Sequence, residues 1–114
     1  MKFSLGFLAL ILAGAVVALP HGSSVKAADT AEAVEIKIDN FSFAPQTITV
    51  PVGTQVTWTN QDDIPHTVVS DDKTTFKSKA LDTDEKYSVT FSKAGTYSYF
   101  CSIHPKMTAK VVVQ

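Results

Sequence analysis

Apolar and polar residues alternate along much of this chain, and the alternation constrains its fold more than any other feature. The period of two is clear in four segments, at 34–39, 48–52, 55–59 and 87–91. Side chains of a β-strand point alternately to opposite faces, so each segment is predicted to be a strand with one buried face. Turn residues such as those at 51–54 separate the segments. Short strands spaced by turns predict an all-β fold, an antiparallel sandwich or barrel.

The remaining segments outside the N-terminal region also read as strands and loops. A short strand is expected at 66–69, a longer one at 96–101 and a last one at 110–113. Segment 74–81 could form a turn or two of helix, although helical periodicity is weak throughout this region. We therefore expect one small domain over residues 34–114.

The N-terminal region has the pattern of an export signal. Lys2 provides a positive start, residues 3–19 carry no charge, and 25–27 place small residues at the −3 and −1 positions of a cleavage site. This pattern predicts a helical signal peptide at 1–27, followed by a short linker at 28–33. The alternative is an uncleaved membrane anchor, because the uncharged run approaches the ~20 residues that a spanning helix needs.

Charge and cysteine content narrow the class of protein further. From Ala28 onwards the sequence has eight lysines, no arginine and eleven acidic residues, a net charge of −3. This composition argues against nucleic-acid binding. Cys101 is the only cysteine, so no internal disulfide can form. A small exported domain usually needs a disulfide or a metal for stability, which makes metal ligation a good explanation for the lone cysteine.

A cluster of possible metal ligands lies near the C-terminal end. Cys101, His104 and Met107 share one loop between the last two predicted strands, and His66 is the only other histidine after the signal peptide. One thiolate and two imidazoles in a plane, with a weak axial thioether, define a blue-copper electron-transfer site. The ligand inventory therefore predicts one type 1 copper ion bound by these four side chains.

The same residues allow three other interpretations: structural roles, a catalytic pair and a zinc site. Each residue alone could be structural, because a free cysteine is often an inert buried thiol. A catalytic pair of Cys101 and His104 has little support, since no orienting third group or oxyanion device is apparent. Zinc suits one cysteine and two histidines, but methionine is a poor zinc ligand and the spacing is not that of a zinc finger.

The chain resembles the cupredoxins, and within them first the amicyanin and then the plastocyanin group. The motifs that carry the resemblance are Val56-Thr57-Trp58-Thr59-Asn60, Pro65-His66, Ala94-Gly95-Thr96-Tyr97 and the loop from Cys101 to Met107. The resemblance covers residues 34–114 and implies a Greek-key antiparallel β-sandwich with copper near one end. It also implies that His104 reaches the surface and serves as the entry or exit for electrons.

The function implied by the resemblance is electron transfer by a carrier that is not an enzyme. We expect a periplasmic monomer that exchanges single electrons with redox proteins such as a c-type cytochrome or a periplasmic dehydrogenase. No nucleic acid and, after signal cleavage, no membrane span are expected. The alternative is a periplasmic protein that buffers or delivers copper.

The roles of two local features depend on the tertiary structure. Many cupredoxins have Asn directly after the first histidine ligand, where it ties the ligand loops together, whereas this chain has Thr67. Acidic residues cluster at 62–63, 71–72 and 82–85. We interpret these clusters as solvated loops, with a docking surface for a basic partner as the alternative.

Overall fold

The computed structural model describes residues 33–114, which form eight β-strands in two four-stranded sheets. The strands are β1 (Ala33–Asp39), β2 (Ser42–Ala44), β3 (Thr47–Val50), β4 (Thr54–Asn60), β5 (Val69–Ser70), β6 (Lys86–Phe91), β7 (Gly95–Phe100) and β8 (Thr108–Val113). One sheet has the order β2-β1-β4-β6 and the other β3-β8-β7-β5. The predicted all-β sandwich is confirmed. The predicted signal peptide and nearly all of the linker lie outside the described residues.

The two sheets are mixed and not antiparallel throughout. Strand β1 pairs in parallel with β4, with Val34 opposite Val56, and β3 pairs in parallel with β8, with Ile48 opposite Val111. The chain leaves the first sheet after β2, enters the second as β3 and returns as β4. The remaining pairs are antiparallel, including β4 with β6 and β5 with β7, which are likewise connected through the opposite sheet. Alternation in a sequence does not reveal strand direction, so this detail was not predicted.

Strand β2 is an addition to the predicted set, because its three residues are too few to show a period. It forms a hairpin with β1 through Asn40 and Phe41, which have φ angles of 53° and 56°. Two consecutive residues at positive φ are typical of the tight two-residue turn of a hairpin, where Asn-Gly is preferred. A phenylalanine in this conformation is strained. The turn therefore places a large side chain where the backbone would favour glycine.

The predicted turn or two of helix within 74–81 is absent. Residues 33–114 contain no helix, so none of them could cross a membrane as one. Segment 74–81 is instead held as extended chain by two isolated pairings, Val69 with Lys77 and His66 with Leu81. Its apolar residues are too few to form a helix face, and backbone partners on the neighbouring segment are available.

The apolar faces of both sheets meet in a core centred on Trp58, which is fully buried. Its ring lies 5.3 Å from that of Tyr99, and its indole N–H donates a 3.1 Å hydrogen bond to the Tyr99 hydroxyl. Tyr97 lies at the edge of the core, and its hydroxyl donates to the Lys93 carbonyl at 2.6 Å. These contacts join the two sheets and give the end of β7 a rigid support.

Candidate metal centre

Backbone pairing fixes the position of His66, which is fully buried. Its N–H donates to the carbonyl of Leu81 at 3.1 Å, and the N–H of Leu81 donates back at 2.7 Å. The side-chain amide of Asn60 donates to the carbonyls of Ile64 and Leu81, both at 2.8 Å. The loop between β4 and His66 is therefore closed by the last residue of β4.

The loop between β7 and β8 is closed by its own backbone. Cys101 directly follows β7, and its N–H donates to the carbonyl of Met107 at 3.1 Å. The N–H of His104 donates to the carbonyl of Cys101 at 3.2 Å, and the N–H of Met107 to that of His104 at 2.9 Å. Cys101 and Met107 are buried, whereas His104 is half-buried. The compact loop thus presents its three predicted ligands from successive tight turns.

The sulfur and the two imidazoles converge on one point. Cys101 Sγ lies 3.8 Å from Nδ1 of His66 and 3.8 Å from Nδ1 of His104. The three candidate donor atoms lie within 4.8 Å of one another. With bond lengths of about 2.3 Å to sulfur and about 2.0 Å to nitrogen, a trigonal plane needs S···N of about 3.7 Å and a tetrahedron about 3.5 Å. The observed distances are close to both values, so a single metal ion can contact all three donor atoms, as the cysteine and two histidines of a blue-copper site do.

Hydrogen bonds to the sulfur of Cys101 favour its ionised, thiolate form. Burial raises the pKa of the thiol, but hydrogen bonds from the N–H of Thr67, 3.3 Å from Sγ, and from His104 outweigh this effect, and the pKa is lowered to about 6. A thiolate is the form that binds soft metal ions. The site therefore favours the ligating form of cysteine near neutral pH.

Thr67 ties the two ligand segments together although it has no amide group. Its Oγ1 accepts a 2.7 Å hydrogen bond from the N–H of Ser102 and lies 2.8 Å from the Ser102 hydroxyl. The same oxygen is 3.7 Å from Cys101 Sγ. A hydroxyl at this position thus connects the His66 segment to the start of the ligand loop.

Two residues near the site were missed in the sequence analysis. Asp62 Oδ2 lies 2.7 Å from Nε2 of His66, although Asp62 was interpreted as part of a solvated acidic cluster. The ring of Phe41 contacts both imidazoles edge-on, with centroids 5.6 Å from His66 and 5.1 Å from His104. The spacing of four residues between Asp62 and His66 was the only available signal for the first contact. Nothing in the sequence indicated the contact of Phe41 with the two imidazoles.

The other acidic clusters have structural roles within their own loops. Asp72 accepts hydrogen bonds from the hydroxyl of Ser70 and from both the hydroxyl and the N–H of Thr75. These bonds hold the pKa of its carboxyl well below the usual range. Glu85 accepts from Lys79 at 2.9 Å and from the N–H of Asp82 at 2.9 Å. Both carboxylates therefore stabilise loop turns.

The sequence matches a known protein family and several characterised proteins. Residues 7–113 match the family described as the Cupredoxin-like domain. Amicyanin from Paracoccus versutus is 36% identical over 97 residues, 79% of this chain and 72% of that protein. Chloroplastic plastocyanin from Tetradesmus obliquus is 38% identical over 84 residues, 63% of this chain and 58% of that protein.

The fold also matches those of solved structures. A solved structure of an oxidized amicyanin mutant superimposes with a TM-score of 0.68 and 35% identity, over 77% of this chain and 89% of that one. The chain belongs to the cupredoxin family. The predicted cofactor, copper, is confirmed at the level of the family, and the structure brings together the candidate donor atoms of His66, Cys101 and His104.

Proposed function

We propose that this protein is an exported blue-copper electron carrier whose metal is bound by His66, Cys101, His104 and Met107. The observation that carries the proposal is the convergence of Cys101 Sγ on two imidazole nitrogens, each at 3.8 Å. Each of these side chains is placed by backbone hydrogen bonds of its own segment. A pocket built in this way needs little rearrangement to receive a metal.

The donor set and its surroundings suit one-electron transfer. When bound, copper supplies the Cu(II)/Cu(I) couple, for which imidazoles satisfy one state and sulfur ligands the other. The protein keeps water away from the sulfur, because Cys101 is fully buried. It also fixes the backbone of His66 through pairing with Leu81. A fixed, dry site lowers the reorganisation that each electron transfer would require.

We propose His104 as the point of electron entry and exit. Its imidazole is half-buried, and a largely apolar depression lined by Phe41, Ile103, Pro105, Lys106 and Met107 surrounds it. Phe41 and Ile103 are 52% and 46% exposed. Because Lys106 is the one charged side chain in this lining, a partner can approach the ligand with little desolvation of charge. Redox proteins such as a c-type cytochrome or a periplasmic dehydrogenase fit this requirement, and the protein acts on no substrate of its own.

The test of the ligand set is the visible spectrum of the Cu(II)-loaded protein. We expect an intense thiolate-to-copper band that is lost in Cys101→Ser and kept in Ser98→Ala, a control at an exposed position of strand β7, which leads into Cys101. A spectrum without the band, or a band that survives in Cys101→Ser, would refute the assignment.

The test of the carrier role compares two rates in the same protein. Electron exchange with c-type cytochromes is measured beside copper transfer to an apo acceptor. A carrier exchanges electrons rapidly and keeps its copper through many redox cycles. Fast loss of copper with slow electron exchange would instead show copper delivery.

We further propose that the protein is a periplasmic monomer, exported by a signal peptide that is removed after Ala27. The small residues at 25 and 27 support this cleavage site. Mass spectrometry of the mature protein is expected to find Ala28 as its first residue. An intact leader in the membrane fraction would show an anchor instead.

A further inference from the structure

We propose that Asp62 is a positioning residue of the copper site, whose carboxylate orients His66 and favours Cu(II) over Cu(I). The proposal rests on ligation of copper by His66. It adds a residue that binds no metal itself but sets how strongly one ligand donates to it.

The contact fixes which nitrogen of His66 is free to bind metal. Asp62 Oδ2 lies 2.7 Å from Nε2, and a carboxylate at this distance requires the proton to be on Nε2. Nδ1 then keeps its lone pair, and this atom is the one that faces Cys101 Sγ at 3.8 Å. Asp62 therefore selects the tautomer that the copper site needs.

The carboxylate itself is held in place by the hairpin turn between β1 and β2. Its Oδ1 accepts from the N–H of Asn40 at 2.6 Å, and its Oδ2 also accepts from the N–H of Phe41 at 3.0 Å. The N–H of Asp62 donates to the side chain of Asn60 at 2.9 Å. Only 12% of the Asp62 side chain is exposed. The oxygen that faces His66 is therefore anchored and cannot swing freely into water.

The charge of Asp62 has a defined effect on the ligand. A carboxylate bonded to the remote N–H of an imidazole increases the basicity of the ligating nitrogen, and losing such a partner typically costs about 10–100-fold in metal affinity. The more highly charged Cu(II) gains more from a stronger donor than Cu(I) does. Asp62 therefore lowers the reduction potential of the site.

Asp63 provides a matched control. It carries the same charge one position along the chain, but it is exposed and makes no hydrogen bond to a histidine within residues 33–114. Asp62→Asn and Asp63→Asn thus remove the same charge from neighbouring positions. Only the first also removes the carboxylate from His66. In Asp62→Asn, a single amide oxygen cannot accept from the N–H groups of Asn40 and Phe41 and from His66 all at once, as the two carboxylate oxygens do.

The experiment measures Cu(II) affinity, Cu(I) affinity and reduction potential in Asp62→Asn, Asp62→Glu and Asp63→Asn. In Asp62→Asn we expect Cu(II) affinity to fall about 10–100-fold, with a smaller loss for Cu(I). Each tenfold difference between the two losses raises the potential by about 59 mV. Asp62→Glu, which keeps the charge, is expected to lie closer to the unmodified protein. Equal potentials in Asp62→Asn and Asp63→Asn would overturn the proposal.

A second measurement decides the question if Asp62→Asn fails to fold. Imidazole ¹⁵N and ¹H resonances of the unmodified Cu(I) protein are expected to show His66 protonated at Nε2, with its proton strongly shifted downfield and protected from exchange. A rapidly exchanging Nε2 proton would refute the contact. A missing thiolate-to-copper band in the unmodified Cu(II) protein would instead refute the ligand set, so the two failures are distinguishable.

Discussion

Replacing Thr67 by valine tests whether one hydroxyl joins the two ligand segments. Valine has nearly the shape of threonine and leaves the backbone N–H that donates to Cys101 Sγ in place. The substitution removes the acceptor of the Ser102 N–H, a 2.7 Å bond, and the partner of the Ser102 hydroxyl at 2.8 Å. Because Thr67 is only 6% exposed, little water can replace its oxygen.

The size of the effect follows from these contacts. An N–H left without an acceptor costs about 1–3 kcal/mol, and the second hydrogen bond contributes about 1 kcal/mol. The additional methyl group of valine, which is buried, stabilises the folded protein by about 0.8 kcal/mol. We therefore expect Thr67→Val to lower the free energy of unfolding by about 2 kcal/mol. For a domain of this size that corresponds to roughly 8–16 °C in Tm.

The assay is chemical and thermal unfolding of the apo and Cu(I) proteins. Thr49→Val is the control, because Thr49 is an exposed residue of strand β3 and its hydroxyl makes no hydrogen bond within residues 33–114. Thr67→Ser keeps the hydroxyl and loses only the methyl group, so it should cost less than Thr67→Val. The reasoning is refuted if Thr67→Val is as stable as Thr49→Val, or if the serine variant is the less stable of the two.

Three further predictions concern the core, the axial ligand and an acidic loop. Tyr99→Phe leaves the buried N–H of Trp58 without its acceptor and should cost about 1–3 kcal/mol in urea unfolding; an unchanged midpoint would contradict this. Met107→Leu should keep the visible band and raise the reduction potential, because the axial ligand tunes it; an unchanged potential would mean that Met107 is not axial. Hydrogen bonds from Ser70 and Thr75 lower the pKa of Asp72. The Asp72 carboxylate therefore stabilises the folded protein above its ordinary pKa of about 3.9. This stabilisation is lost as the pH falls through the lowered pKa of the folded state. The Tm difference between the unmodified protein and Asp72→Asn should shrink from pH 7 to pH 2, and a constant difference would refute the contribution.

The strands could be predicted from the sequence wherever one face is buried along several residues. Strands β1, β4 and β6 show a clear period of two, and the structure confirms each of them. Strand β2 could not be found in this way, since it has three residues and a single buried side chain, Phe43. The parallel pairings were also hidden, because the alternation of apolar and polar residues shows which face of a strand is buried but not in which direction the strand runs beside its neighbour.

The candidate site was predictable to the extent that it depends on ligand chemistry. The inventory of Cys101, His104, Met107 and His66 indicated copper because each residue type has a defined role in such a site. The contacts around the ligands depend on tertiary structure instead. Asp62 reaches His66 in an orientation fixed by the turn at Asn40 and Phe41, which lies 21 residues or more away in sequence. No local pattern encodes that contact.

The position of strand β8 in its sheet affects when a newly synthesised chain can complete its fold and bind metal. This strand lies between β3 and β7, so neither can complete its backbone pairing until β8 has been made and has emerged. The backbone of the ligand loop is closed at Met107, immediately before β8. A nascent chain that lacks β8 therefore has no finished second sheet to hold the end of the ligand loop. We accordingly expect stable metal loading to follow synthesis of this last strand.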